Sequence, residues 1–432
     1  MKPAVGVDFG TTNSAIAAVD DAGNARLAAF PTLSEAVAPV FRSLLFFEND
    51  VDWVAGRPPA SIGHAAIAEY LATGADGRLM QSMKSFLASR HVVATNVHGH
   101  NFTLESLVAL VVAELRASIR PQLGVDPPDH VVAGRPVHFA YADGPEDDAY
   151  AEGRLRKAFA RAGFPQVTFV PEPVAAALHY ASSLDHDEVV LVADFGGGTS
   201  DFSALRVGPG VAEDPSDASH VLGTSGVGVA GDSFDARLLD NLVAPALGKG
   251  THYRSQAGKY LEIPPAIFHR LERWHELSIL KTPRMMDSLH GYRRTSREPE
   301  KIGALIDVVD HDLGYAMYAA VERAKVALSS ADHATFSFHA EELSVEAEVS
   351  RADFEAWIAP ELEALTTCLD GLLADIGLDA SDVDTVFLTG GTALVPAVRD
   401  IFASRFGDDR LRTGDFLASV ASGLARYAAR LT

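Results

Sequence analysis

The chain has 432 residues, 47% of them hydrophobic and 22% charged, a composition that excludes a disordered chain and, at this length, calls for two large lobes rather than one core. Its 36 lysines and arginines against 58 acids leave a formal charge of −22, which argues against non-specific binding of nucleic acid and against docking on anionic membranes. A single cysteine, Cys368, excludes an internal disulfide and fits a reducing, cytoplasmic compartment, and the sequence shows neither a signal-peptide pattern nor an apolar run near the ~20 residues of a membrane span.

Taken from the N-terminus, residues 5–19 read as strand, tight turn, strand, with Asp8, Phe9 and Gly10 leading into Thr11, Thr12 and Asn13. Residues 41–47 form a strand and 56–59 a turn, and helical spacing follows over 62–70 and over 79–89, the second stretch carrying Lys84. His91, His98 and His100 lack the cysteine or clustered acids that would complete a structural zinc set. A helix over 104–119 stops before Pro121, a short buried strand occupies 131–137, and 147–162 is helical. Strand 167–170 then leads through Pro171, Glu172 and Pro173 into an alanine-rich helix over 174–180, so strand and helix alternate in the α/β manner.

Residues 189–205 repeat the first grammar: a β-branched run ends on Asp194, passes through Gly196, Gly197, Gly198 and Thr199, and resumes at Asp201. Successive glycines remove each Cβ, permit positive φ, and let backbone N–H groups converge on an anion. Asp194 and Asp201 repel phosphate unless a hydrated divalent cation lies between, so the pattern implies a metal-bound nucleotide. Two such hairpins, 186 positions apart, imply a duplicated domain around one ligand. A polar loop over 211–219, a glycine-rich stretch at 223–232 and a helix over 234–242 come next. Residues 240–310 are the least readable, with a helix expected over 267–280 around Trp274 and a basic segment from Arg270 to Lys301 that reads as a solvated helical face. Helices over 313–329 and 354–376, strands over 335–338 and 344–349, a strand running into Gly390 and Gly391, and a last helix over 419–431 complete the chain. Cys368 falls within one of these helices, where an inert thiol is expected.

Five segments together resemble the nucleotide-binding domain of the 70-kDa heat-shock chaperones, within the actin-like ATPases: the two hairpins, the Pro171-Glu172-Pro173 helix entrance, the helix running from Glu322 through Lys325 to Ser329, and the Gly390-Gly391-Thr392 turn. The resemblance implies an actin-like fold of ribonuclease H-like duplicated α/β domains, two lobes with a nucleotide cleft between them. Lobe I is expected over 1–185 (core 1–35 and 118–185, insertion about 36–117), completed by 415–432. Lobe II is expected over 186–414 (core 186–228 and 348–414), with an enlarged insertion at about 229–347. No acidic linker or peptide-binding domain is expected after Thr432, so the chain is similar to truncated bacterial chaperone-like proteins.

The resemblance further implies ATP or ADP with Mg²⁺ as cofactors. Gly10, Thr11, Thr12, Asn13, Gly196, Gly197, Gly198 and Thr199 would hold the phosphates. Asp8, Glu172, Asp194 and Asp201 would hold the metal, mainly through water, and Lys84, Glu172, Asp194 and Thr199 would serve hydrolysis. Gly231, Asp232, Glu322, Lys325, Ser329, Gly390, Gly391 and Thr392 would line the rest of the nucleotide. Val326 and Leu394 stand where the family usually has arginines, and Leu417 where it has an acid, which alters the base end and leaves the phosphate end intact. The expected function is slow magnesium-dependent ATP hydrolysis coupled to lobe closure, with a nucleotide and an unspecified client or co-chaperone as partners and no nucleic acid or membrane. A sugar-type kinase of the same fold and a nucleotide-dependent filament are the alternatives.

Overall fold

The computed structural model describes residues 4–20, 22–32, 37–49, 60–73, 76–181, 184–209, 211, 218–255, 257–271, 280–311, 313–340, 343–413 and 416–431. The turn expected at 56–59, most of the polar loop at 211–219, and Trp274 with residues 272–279 lie outside them. The chain divides into two compact units.

The first unit holds Met1–Gly226, Cys368–Ala393 and Phe402–Thr432. One strand order appears in it twice. In the first sheet the order is Gln166–Pro171, His130–Arg135, Val5–Phe9, Asn13–Val19, Ala25–Leu27. In the second it is Leu411–Thr413, Thr385–Thr389, Glu188–Phe195, Ser200–Val207, Val221–Val227. In both, the central strand and its hairpin partner run antiparallel while the two later strands join parallel. The parallel strands are near-continuous apolar runs, as strands covered on both faces require.

Helices Glu172–Ala181 and Phe416–Leu431 supply one of these covers, packing on each other while the second also packs on the first sheet. Val174, Leu178, Val420, Leu424 and Tyr427 share a core with Val132 and Val170 of the first sheet and with Val190, Val192 and Leu205 of the second. Glycine makes the approach possible at Gly423, where a Cβ would stand 2.0 Å from the Ala175 carbonyl oxygen, and at Gly6, where it would stand 2.3 Å from the Ala425 nitrogen.

Two expectations are corrected. Residues 79–89 are not one helix: strand Gly77–Met80 is followed by a single 3₁₀ turn, Met83–Phe86, because Ser82 takes the left-handed conformation at φ 56° and breaks the backbone between them. The strand expected at 41–47 is two pieces, Phe41–Arg42 on the first sheet and Leu45–Glu48 in a separate three-stranded sheet. The glycine-rich stretch at 223–232 begins as an edge strand, Val221–Val227, before the helix Gly231–Leu238.

The second unit holds Val227–Thr367 and Leu394–Ile401. Its described part is largely helical, and in the stretch hardest to read the prolines Pro265, Pro283 and Pro299 each open a helix, where a missing N–H costs nothing. Helix Gly314–Ser330 packs against the hairpin of His333–Ala340 and Leu343–Ser350.

Candidate functional site

The two hairpins of the first unit are equivalent residue by residue. Phe9 pairs with Ser14 and Phe195 with Ser200, so Gly10 to Asn13 and Gly196 to Thr199 form matching four-residue turns. Gly196 N–H donates to the Thr199 carbonyl at 2.9 Å to close the second turn. Gly196 does not take the left-handed conformation that the run of glycines permits, and neither does Gly10. What glycine supplies at Gly10 is room, since a Cβ there would stand 2.0 Å from the Asn13 carbonyl oxygen. The first turn is braced by Arg42, whose Nη1 donates to Asn13 Oδ1 at 3.0 Å, and by the Ser43 N–H on the Thr12 carbonyl at 2.9 Å.

Just before each turn the central strand presents a carboxylate, Asp8 or Asp194. Asp8 faces Ala15 across its hairpin, whereas Asp194 faces Asp201. Lys84 lies among them: the residue is 6% exposed and its ammonium donates to Glu172 Oε1 at 2.6 Å. The structure therefore brings Asp8, Lys84, Glu172, Asp194, Thr199 and Asp201 into one electrostatic cluster.

That cluster is short of positive charge. Burial, reinforced by Glu172 and only partly offset by Lys84, pushes the Asp8 carboxyl up to about 7. Burial also leads at Asp194, followed by repulsion from Asp201, Glu172 and Asp8, and the carboxyl is pushed up to about 8. Asp201 is raised too, by lost hydration, against a hydrogen bond from Thr199 Oγ1 at 3.2 Å. Burial alone would lower Lys84, but attraction to Glu172, Asp8 and Asp194 outweighs it and holds the ammonium above its ordinary value. Among the described residues no three His, Cys, Asp or Glu side chains converge closely enough to grip a metal ion directly. Four carboxyl groups thus surround one ammonium.

Two residues that the sequence reading missed complete this site. Arg154 is a buried guanidinium, 2% exposed, on helix Pro145–Arg161. Its Nε meets Glu105 at 2.9 Å, its Nη1 donates to the carbonyls of Leu87 at 3.2 Å and Ser89 at 3.1 Å, and its Nη2 donates to that of Val92 at 2.9 Å. It therefore ties down the chain immediately after the Lys84 turn. An arginine in a helix with mixed charges carries no local signal of this. Thr389 lies beside Asp194 in parallel register, is 2% exposed, and its Oγ1 has no hydrogen-bond partner.

Gly390, at φ 86°, lies so close to the second hairpin that a Cβ would stand 2.0 Å from the Phe195 carbonyl oxygen. Gly391 and Thr392 follow in a 3₁₀ turn. Cys368 accepts or donates a 3.2 Å hydrogen bond with Ser225, and burial raises its thiol, as for an inert cysteine.

The remaining candidates belong to the second unit. Helix Gly231–Leu238 begins at Gly231 and Asp232, and on it Asp235 receives the Lys325 ammonium at 2.7 Å. Burial pushes the Asp235 carboxyl up to about 6 against the pull of Lys325, and its Oδ1 has no partner. Asp235 too escaped the sequence reading. Ser329 Oγ donates to the Lys325 carbonyl at 3.1 Å, and Glu322 is exposed. Val326 and Leu394 are exposed by 63% and 65%.

A family model described as Hsp70 protein matches residues 79–256 and 304–432. The matched residues include Lys84, Glu172, the second hairpin, the Lys325 helix and the Gly390 turn. The first hairpin stands before them, and the break falls within the stretch that resisted reading.

Proposed function

The chain belongs to the Hsp70 family, a chaperone-like ATP-binding family, and from that premise we propose that it binds magnesium-ATP at the paired hairpins and hydrolyses it slowly. The observation that carries this reading is the charge-deficient cluster of Asp8, Glu172, Asp194 and Asp201 around Lys84, set at the ends of two equivalent hairpin turns. The turn backbones of Gly10 to Asn13 and Gly196 to Thr199 offer N–H groups to phosphate oxygens. Lys84, fixed by Glu172 in front and by Arg154 behind, presents its ammonium to the transferring phosphoryl group. Asp194 and Thr199 orient the attacking water by accepting or donating hydrogen bonds. Asp8, Glu172, Asp194 and Asp201 would hold a magnesium ion through water, and it would supply the positive charge that the cluster lacks.

The assignment of Lys325, Glu322 and Ser329 to the nucleoside follows the family pattern, and in the second unit Asp235 fixes the Lys325 ammonium. Exposed aliphatic Val326 and Leu394 replace cations there, so the base is held by apolar contact rather than by stacking on guanidinium. Calorimetric titration with ATP, ADP and a non-hydrolysable analogue, with and without magnesium, tests the reading. Magnesium-dependent binding supports it; no binding by any of them overturns it.

A further inference from the structure

The hairpin of His333–Ala340 and Leu343–Ser350 is a two-stranded sheet, so among the described residues the outer edge of His333–Ala340 pairs with no strand. An eight-residue open edge presents a row of unpaired N–H and C=O groups, which proteins normally shorten, twist away or cover. Here it is accompanied by a cleft of about 480 Å³. One wall is the helix Gly314–Ser330, through Ala316, Ala319, Ala320 and Arg323, and the other is the strand, through Thr335, Ser337, Phe338 and His339. No residue of Leu343–Ser350 lines it, which puts the cleft on the open side of the strand.

We propose that this cleft receives an extended peptide segment of a partner protein as a third strand on His333–Ala340, with an acidic residue of that segment paired to Arg323. Three alanines on the helix wall let a backbone lie close to the strand. Thr335, Ser337 and His339 recur at every second position, so they share one face of the strand, while Phe336 and Phe338 point into the core. From Thr335 to His339 the edge is roughly 13 Å long, enough for about four residues of added strand. Main-chain hydrogen bonds then give affinity and the alternating side chains give choice of sequence. Arg323 is exposed and makes no hydrogen bond or ion pair among the described residues, so it is the charge left for a carboxylate. At roughly 100° per residue, the face carrying Ala316, Ala319, Ala320 and Arg323 is centred more than a third of a turn around the helix from the face carrying Glu322, Lys325 and Ser329. The peptide site is therefore distinct from the residues assigned to the nucleoside.

The test is a selection of random octapeptides displayed on phage against the full chain, followed by synthesis of the recovered peptides and titration by fluorescence anisotropy. Recovered peptides are expected to share an acidic position and to bind R323E at least about tenfold more weakly, with magnesium-ATP binding unchanged. N-methylation of alternate peptide residues, read on the unmodified protein, is expected to abolish binding, and peptide is expected to slow amide exchange at 335–339. The proposal is overturned if selection recovers nothing, if R323E or N-methylated peptides bind as before, or if millimolar phosphate displaces every peptide, which would mark a simple anion site.

Discussion

Asp194 and Asp201 face each other directly across the second hairpin, two carboxyl groups in one cross-strand pair that repel once both are ionised, while the equivalent pair in the first hairpin is Asp8 and Ala15. Opposed like charges destabilise a hairpin by up to about 1 kcal/mol. D201N is therefore expected to raise the melting temperature of the nucleotide-free protein while weakening magnesium-ATP binding. Thermal unfolding and calorimetry on the same variant check both halves, and a destabilised D201N with normal binding would refute the assignment.

Arg154 holds the backbone at the end of the Lys84 turn and just after it. K84A is expected to lower the single-turnover hydrolysis rate by about 10²–10³-fold with ATP binding retained. R154K keeps the charge but loses the fork that meets Glu105 and four backbone carbonyls at once. It is expected to lower both stability and hydrolysis. An R154K variant that is destabilised yet hydrolyses ATP at the normal rate would show that the brace is structural only.

The raised carboxyls set a pH dependence. Asp8 at about 7 and Asp194 at about 8 lie above their ordinary value of 3.8. The native protein therefore holds more protons than the unfolded chain between about pH 4 and pH 8, and the stability from these two groups is full below that window and lost as pH rises through it. The melting temperature without nucleotide is expected to fall from pH 5 to pH 8.5. Magnesium-ATP ionises the same carboxyls, so binding at pH 7 is expected to release about one proton, measured by calorimetry in buffers of different ionisation enthalpy. Proton uptake on binding, or a melting temperature that rises over that range, contradicts the cluster's role.

In the second unit, D235N removes the charge that holds Lys325 but keeps its shape. A loss of about 1–3 kcal/mol in stability is expected, because a part-buried ammonium loses its charged partner and keeps only the Gly231 carbonyl at 3.4 Å. If Lys325 serves the nucleoside, affinity for ATP and ADP falls together with that stability, while the hydrolysis rate at saturating ATP stays near normal. Loss of stability with unchanged affinity would confine the pair to a structural role.

Both hairpins could be read in the sequence because their information is local: a β-branched run, a carboxylate and a small-residue turn. The Glu172 helix entrance was legible for the same reason. Lys84 was found, but its setting was not, since one residue, Ser82, in the left-handed conformation turns an apparent helix into strand and 3₁₀ turn. Arg154 and Asp235 were invisible because their partners lie 49 to 68 and 90 positions away. The stretch around 240–310 was opaque for a different reason. Its helices are short and proline-initiated, and Pro265, Pro283 and Pro299 look like breaks until their place at helix starts is known.

The repeated strand order carries a consequence for descent. Two sheets with the same five-strand sequence of neighbours, each ending its hairpin on Asp-Phe-Gly, are what the duplication and fusion of one ancestral half would leave. On that history Ala15 and Asp201 occupy one ancestral position that has since diverged, one copy keeping or gaining an acid and the other losing it. The asymmetry makes the halves non-interchangeable: grafting an aspartate onto Ala15, or erasing the one at Asp201, changes which half carries the burden of negative charge.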